Sequence, residues 1–171
     1  APEYQELKSQ FLTYLDDRIQ VNGRYRDARL TVPAHPGEIS SDMITDISNA
    51  LSRIRWTRST VVDFLGCYLS EPKQHIVLQR PPDIGYAEFL RRARNEGIEL
   101  HPALPLLFRG SYCFINGEAR KITPEERPSI VALADNRRLT SLEMRRSDCA
   151  TRTFYDWYGN CFLSIGTWGP L

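Results

Sequence analysis

Hydrophobic positions in the first 70 residues recur every three or four residues, which is the spacing of amphipathic helices. Three such stripes cover residues 4–19, 43–54 and 57–71. Ser40 or Ser41 can cap the second stripe, and a proline ends the third. The pattern predicts three helices that form either a small bundle or a partner-binding surface.

Turn-forming and proline-rich stretches separate these helices from the rest of the chain. Asn22-Gly23 ends the first stripe, and the polar residues 24–36 with their two prolines predict a connector. Prolines and a glycine in residues 72–85 surround a short apolar run, Ile76–Leu78. We therefore expect a domain boundary there, with a helical domain over residues 1–78 and a second domain over residues 79–171.

The second part of the chain mixes helical and strand patterns. A short helix is predicted from Tyr86 to Gly97, and apolar strands follow at residues 106–108 and 112–115. Asn116-Gly117 then suits the left-handed conformations of a type I′ turn, so residues 112–122 predict a β-hairpin.

Two capping boxes and a late aromatic segment follow the hairpin. The boxes begin at Thr123 and Thr140, a helix is predicted around Trp157, and residues 162–165 predict a closing strand. This order is typical of a winged helix. The predicted fold class is therefore α+β, mainly α, with an N-terminal three-helix domain followed by a winged-helix-like domain that contains a β-hairpin.

Charge is evenly balanced along the chain. The 22 basic and 21 acidic residues give a net charge of +1, and residues 1–80 carry ten of each sign. Nucleic-acid-binding modules usually have a marked basic excess, so nucleic acid is not the favoured partner. In the alternative, a free-standing winged-helix nucleic-acid-binding protein, the phosphate contacts would come from two arginine clusters, Arg91, Arg92 and Arg94 together with Arg137 and Arg138. Acidic residues interleave with both clusters, which favours a solvated, charge-balanced surface.

The chain lacks the local motifs of catalysis. His35, His75 and His101 stand apart, and none belongs to the His-x-Asp or His-x-Glu pattern that a mononuclear non-haem iron site needs. Neighbouring carboxylates such as Asp16-Asp17 point about 100° apart on a helix and do not converge on one substrate atom. Nucleophile elbows and phosphate-binding glycine loops are also absent. We predict no catalytic residue and no metal site in this chain.

Cysteine spacing and hydropathy point to a reduced, cytoplasmic protein. Cys67, Cys113, Cys149 and Cys161 contain no C-x-x-C pair, so we expect free thiols. The longest apolar runs are far shorter than the roughly 18 residues that span a bilayer, so we expect no membrane association.

The first helix carries an apolar stripe for which the sequence predicts no partner before it. Leu7, Phe11, Tyr14 and Leu15 form this stripe. It can be internal core, or it can be covered by a second copy of the chain. We predict a homodimer with these four residues at the interface.

Several segments, taken in order, resemble the C-terminal half of bacterial ribosomal oxygenases, which are cupin-like proteins of the JmjC type. The segments are Arg24-Tyr25-Arg26-Asp27-Ala28-Arg29-Leu30, Pro81-Pro82, Phe114-Ile115-Asn116-Gly117-Glu118, Leu133-Ala134-Asp135-Asn136-Arg137-Arg138-Leu139-Thr140 and Phe154-Tyr155-Asp156-Trp157-Tyr158. The resemblance spans the chain from about Phe11 to Trp168. It depends on the order of the segments, which this sequence shares with the family.

The resemblance implies a larger parent protein. In that family an N-terminal domain binds Fe(II) and 2-oxoglutarate, a helical dimerisation domain and a winged-helix domain follow it, and the substrate is an arginine of a ribosomal protein. The family's iron-binding motif is missing from this sequence, so no catalytic residue is transferred to it. The implied role is a non-catalytic dimerisation and winged-helix module of a 2-oxoglutarate-dependent ribosomal protein hydroxylase.

Overall fold

A computed structural model describes residues 3–20, 35, 37–72, 78 and 80–167. The chain forms two compact units, Ala1–Phe64 and Leu65–Leu171. Residues 24–34 and 36 of the predicted connector at 24–36 lie outside the described residues, and so does His75. The predicted domain ranges 1–78 and 79–171 stay predictions.

The first unit is helical. It contains α1 (Tyr4–Arg18), α2 (Ser41–Leu51) and the first half of α3 (Arg58–Ser70). The Ser40 hydroxyl accepts the Met43 amide at 3.2 Å, so Ser40 is the N-cap that the sequence allowed for α2. The three predicted helices are confirmed.

The described residues of this first unit form a small core. Of its described hydrophobic residues, Leu15 and Phe64 are the buried ones. The rings of Phe11 and Tyr14 pack on the Phe64 ring, with centroids 5.1 Å and 5.5 Å away, and the Trp56 and Phe11 rings make a T-shaped contact at 5.8 Å. This aromatic cluster is the main hydrophobic packing among the described residues of the unit. Helix α2 has no buried residue.

The second unit alternates helices with short strands. Its elements in chain order are α4 (Tyr86–Glu96), β1 (Ile98–Leu100), β2 (Leu106–Arg109), β3 (Tyr112–Ile115), β4 (Glu118–Lys121), α5 (Arg127–Asn136), β5 (Arg138–Leu139), α6 (Ser141–Met144), a 3-10 turn (Asp148–Ala150), α7 (Thr151–Gly159) and β6 (Leu163–Ile165).

Two three-stranded antiparallel sheets form in this unit. The wing sheet has the order β2-β3-β4, and Asn116 (φ 54°) and Gly117 (φ 77°) make the predicted type I′ turn of its hairpin. The second sheet has the order β5-β1-β6. Its strands β1 and β5 were not predicted, because two or three residues are too few to show an alternating pattern.

Both predicted capping boxes form. The Thr123 amide donates to a carboxylate oxygen of Glu126 at 2.9 Å while the Glu126 amide donates to the Thr123 hydroxyl at 3.2 Å. Thr140 and Glu143 make the same reciprocal pair at the start of α6. Residues 124–126 are turns, so α5 begins at Arg127, later than the first box predicts.

The core of the second unit is continuous. Phe89 of α4 and Phe154 of α7 are fully buried in one cluster with aliphatic side chains from both sheets and from α5. On the other face of the wing sheet, Gly66 of α3 lies against the ring of Phe114, and the Gly117 amide donates to the Ser70 hydroxyl at 3.2 Å. The second half of α3 therefore packs on the wing.

Candidate functional site

The apolar face of α2 is the largest exposed hydrophobic feature of the first unit's described helices. Ile44, Ile47 and Leu51 lie at helical spacing on one face and are 56%, 41% and 58% exposed. Their side chains carry no charge, while both acidic residues of the helix, Asp42 and Asp46, lie on other faces. We call Ile44, Ile47 and Leu51 the α2 face.

Hydrophobic exposure continues beyond the C-terminal end of this helix. Ile54 is 39% exposed and Trp56 is 55% exposed, although the Trp56 ring makes a T-shaped contact with the Phe11 ring. Contiguous exposed hydrophobic residues of this kind mark interaction surfaces in soluble proteins. Their spacing was visible in the sequence, but only the structure places them on the outside of the unit.

The residues predicted for the dimer interface lie on α1 and pack partly within their own unit. Leu15 is buried, whereas Leu7, Phe11 and Tyr14 are half-buried. The guanidinium of Arg18 stacks 4.2 Å from the centre of the Tyr14 ring. Their role at a dimer interface stays a prediction, and the α2 face is the feature that the prediction did not include.

The arginines of α4 are paired with acids. Arg91 makes two hydrogen bonds with Glu88, at 2.8 Å and 2.6 Å, and Arg92 lies 3.1 Å from Glu96. The hydrogen bond from Arg91 lowers the pKa of Glu88, and the same bond raises the pKa of Arg91. These exposed pairs add little stability, but they neutralise the arginine charges.

Arg94 is paired across to another element. Its guanidinium donates to Asp148 at 2.7 Å, and the Arg145 side chain donates to the Arg94 carbonyl at 3.2 Å. An open depression of about 670 Å³ lies beside them, lined by both signs of charge. The α4 surface is therefore charge-balanced, as the interleaved sequence indicated.

Arg137 has a structural role in this fold. It ends α5 with a left-handed φ of 62°, and its guanidinium donates to the carbonyls of His101, Pro102 and Leu104 at 2.7–3.2 Å. Arg138 is exposed on β5, opposite Glu99 of β1. Phosphate binding by Arg137 and Arg138 stays a prediction. Because Arg137 already donates to three backbone carbonyls, its guanidinium is poorly placed to bind a phosphate.

The potential metal-binding and nucleophilic side chains are dispersed over the described part of the chain. No group of three or more His, Cys, Asp or Glu side chains that could hold a metal occurs there. His101 is buried, its Nδ1 accepts the Ala103 amide at 3.2 Å, and burial together with the Arg137 charge lowers its pKa. All four cysteines are free thiols, and burial raises the pKa of Cys113 to about 11, which suppresses the reactive thiolate.

Two tyrosines of α7 hold the proline-rich segment that precedes α4, and a third tyrosine joins α4 itself to α7. The hydroxyls of Tyr158 and Tyr155 donate to the carbonyls of Pro82 and Ile84 at 2.8 Å and 3.0 Å, and Tyr86 shares a hydrogen bond with Thr151 at 2.7 Å. Cavities of about 350 Å³ and 240 Å³ border this segment. The aromatic segment predicted near the C-terminal end thus holds residues 82–84, which precede α4, in place.

Residues 53–163 match the family model described as the ROXA-like winged helix. The chain belongs to this family. No curated protein matches the sequence. The match covers α3 and nearly all of the second unit, so the winged-helix prediction is confirmed.

Solved structures of an Escherichia coli ribosomal oxygenase, YcfD, have the same fold. One matches with a TM-score of 0.71 and 21% identity over 98% of this chain and 47% of the YcfD chain. The YcfD complexes with cobalt and succinic acid and with cobalt and 2-oxoglutarate each match with a TM-score of 0.69, over 96% of this chain and 46% of theirs. This chain therefore spans a little under half the length of these relatives.

The family match and the structural matches confirm the resemblance to ribosomal oxygenases that the sequence segments indicated. They also confirm the fold class, α+β and mainly α, with helices followed by a winged helix. Among the helices that the structure describes, none combines the length and the hydropathy that a bilayer span requires.

Proposed function

We propose that this chain is the dimerisation and winged-helix module of a 2-oxoglutarate- and Fe(II)-dependent oxygenase that hydroxylates a ribosomal protein. The catalytic domain, with its Fe(II) and 2-oxoglutarate, would belong to another part of the same longer protein. The support for this is the ROXA-like family match together with the likeness of fold to YcfD, whose structures contain cobalt and 2-oxoglutarate. The module would hold two catalytic domains at a set separation and would take no part in the reacting bonds.

The α2 face is the observation that carries the dimerisation part of the proposal. A helix gains little stability from an apolar face that remains in water, and α2 has no buried residue in the single chain. Since the α2 face is uncharged, it can meet the same face of a second copy around a two-fold axis without burying a charge. A second copy would also enlarge the small core of the first unit.

Sedimentation of charged variants tests this role. We expect the wild-type chain to sediment as a dimer at concentrations on the order of 50 µM. Leu51→Asp should raise the dissociation constant by about 100-fold or more, because a carboxylate in an apolar interface is costly to desolvate. Asn49→Asp adds the same charge on the opposite side of α2 and should leave the dimer intact.

A further variant distinguishes α2 from α1. If Leu7→Asp gives monomers while Leu51→Asp remains dimeric, the interface is the stripe predicted from the sequence and not the α2 face. A wild-type chain that sediments as a monomer at concentrations on the order of 50 µM would remove dimerisation from the proposed function.

The alternative, a free-standing winged-helix nucleic-acid-binding protein that uses the α4 and β5 arginines, has less support. Arg91, Arg92 and Arg94 are each paired with a carboxylate, and Arg137 is occupied by backbone carbonyls. In this alternative, Arg91→Gln and Arg94→Gln would weaken the binding of duplex DNA or structured RNA in a titration. Unchanged titrations would remove it.

A further inference from the structure

One end of the wing sheet carries a row of three exposed side chains from three adjacent strands. The strand register places Tyr112 directly opposite Arg109 on one side and Lys121 on the other. Directly opposed residues of antiparallel strands point to the same face, so all three side chains emerge together. Since neighbouring strands lie about 4.8 Å apart, the row is about 10 Å wide. We call Arg109, Tyr112 and Lys121 the wing row.

Both cations of the wing row are exposed, and Tyr112 is 42% exposed. The described residues provide no salt bridge to Arg109 or Lys121, in contrast to Arg91, Arg92 and Arg94 of α4. The one acidic residue within the three wing strands, Glu118, pairs with Ile115 at the other end of the sheet and on the opposite face. The chain as a whole is charge-balanced, but the wing row is therefore locally positive.

The residues just behind the row fix its position. The Ile122 amide donates to the Ser111 carbonyl at 2.8 Å, which ties the end of β4 to the β2–β3 turn. The Arg127 side chain donates to the Gly110 carbonyl in the same turn at 3.2 Å. Cys113, next to Tyr112, is fully buried in the core. The backbone at this edge therefore loses little further conformational freedom when the side chains bind a ligand.

We propose that the wing row binds single-stranded nucleic acid, with Arg109 and Lys121 on phosphates and an unstacked base on the Tyr112 ring. An aromatic ring between two cations matches the repeating chemistry of a single strand, in which bases alternate with phosphates. The bases of an intact duplex are stacked inside it and cannot reach the ring. An acidic peptide would use the cations and would gain nothing specific from the ring. The proposal does not depend on dimerisation.

Fluorescence anisotropy of a labelled oligouridylate of about 12 nucleotides tests this proposal on the full chain. We expect Tyr112→Ala to weaken binding by about 5- to 100-fold and Tyr112→Phe to retain it, because a phenyl ring stacks as a phenol ring does. The double variant Arg109→Gln/Lys121→Gln should weaken binding and reduce its dependence on salt between about 50 and 200 mM.

Matched controls separate a specific site from general charge. Arg91→Gln also removes an exposed arginine, but one that is paired with Glu88, and it should not change the affinity. Circular dichroism would verify that each variant is folded. Equal competition by an oligoglutamate peptide, with no effect of Tyr112→Ala, would show a general anion surface and overturn the proposal, as would the absence of oligouridylate binding at low salt.

Discussion

Glu126 is a buried carboxylate that connects three parts of the second unit. It accepts hydrogen bonds from the Thr123 amide at 2.9 Å and the Thr153 hydroxyl at 2.7 Å, and it lies 3.4 Å from Arg120 of the wing. Burial acts to raise the pKa of Glu126, but the hydrogen bonds from Thr123 and Thr153 and the Arg120 charge together hold this pKa below its usual range. The capping-box residue predicted from the sequence thus also joins the start of α5 to α7 and β4.

Replacing this carboxylate should destabilise the fold. We expect Glu126→Ala to lower the free energy of unfolding at neutral pH by about 1–3 kcal/mol, because the Thr153 hydroxyl and the Thr123 amide lose their acceptor. Urea denaturation would measure the change. Glu125→Ala, at the exposed neighbouring position, is the control and should change the free energy by less than about 0.5 kcal/mol.

The same residue should make stability depend on pH. A folded-state pKa below the unfolded value means that the unfolded chain binds more protons as the solution is acidified. The contribution of Glu126 is therefore complete above the ordinary glutamate pKa and is lost as pH falls through the folded pKa. Thermal unfolding between neutral and acidic pH should show a shallower decline for Glu126→Gln than for wild type, and parallel declines would contradict this assignment.

At the scale of the elements, Gly97 links α4 to the second sheet. Its φ of 81° lies in the region that favours glycine, and a Cβ atom there would collide with the carbonyl of Leu139 in β5. The sequence predicted a helix end at this glycine. The close approach of β5 behind it could not be predicted, because β5 has only two residues.

A methyl group at this junction should be poorly tolerated. We expect Gly97→Ala to lower the free energy of unfolding by about 2 kcal/mol or more, from left-handed backbone strain and from displacement of β5. Gly159→Ala places a methyl group in open space at the end of α7 and should leave stability unchanged or raise it by less than about 1 kcal/mol. Equal effects of the two substitutions in a denaturation experiment would show that the Gly97 junction is not strained.

At the scale of the molecule, the hydrophobic core is unevenly shared between the two units. The continuous buried cluster lies wholly in the second unit, whereas the described hydrophobic residues of the first unit include two buried ones, Leu15 and Phe64. Burial of apolar surface is the main driving force of folding, so the second unit has the means to fold without help. The described part of the first unit has few buried apolar contacts, to which the proposed dimer would add.

This imbalance predicts different behaviour for a fragment that contains the second unit and for the full chain. A fragment of residues 53–171, which retains α3 and the segment matched by the family model, should be monomeric and should unfold cooperatively on heating. The full chain should be dimeric under the same conditions. Circular dichroism melts and light scattering would measure both properties. A dimeric 53–171 fragment would place the interface outside α1 and α2.

Local sequence was sufficient for the helices, the Asn116-Gly117 turn and both capping boxes, because each depends on residues a few positions apart. It was also sufficient for the family resemblance, which rests on the order of short segments. Three features required the tertiary structure, because each depends on residues distant in sequence or on which face remains uncovered. These are the pairing of β1 with β5 and β6, the exposure of the α2 face, and the alignment of Arg109, Tyr112 and Lys121 across three strands. Hydrophobic periodicity in the sequence predicts that a helix has an apolar face, but tertiary packing decides whether the same chain covers that face.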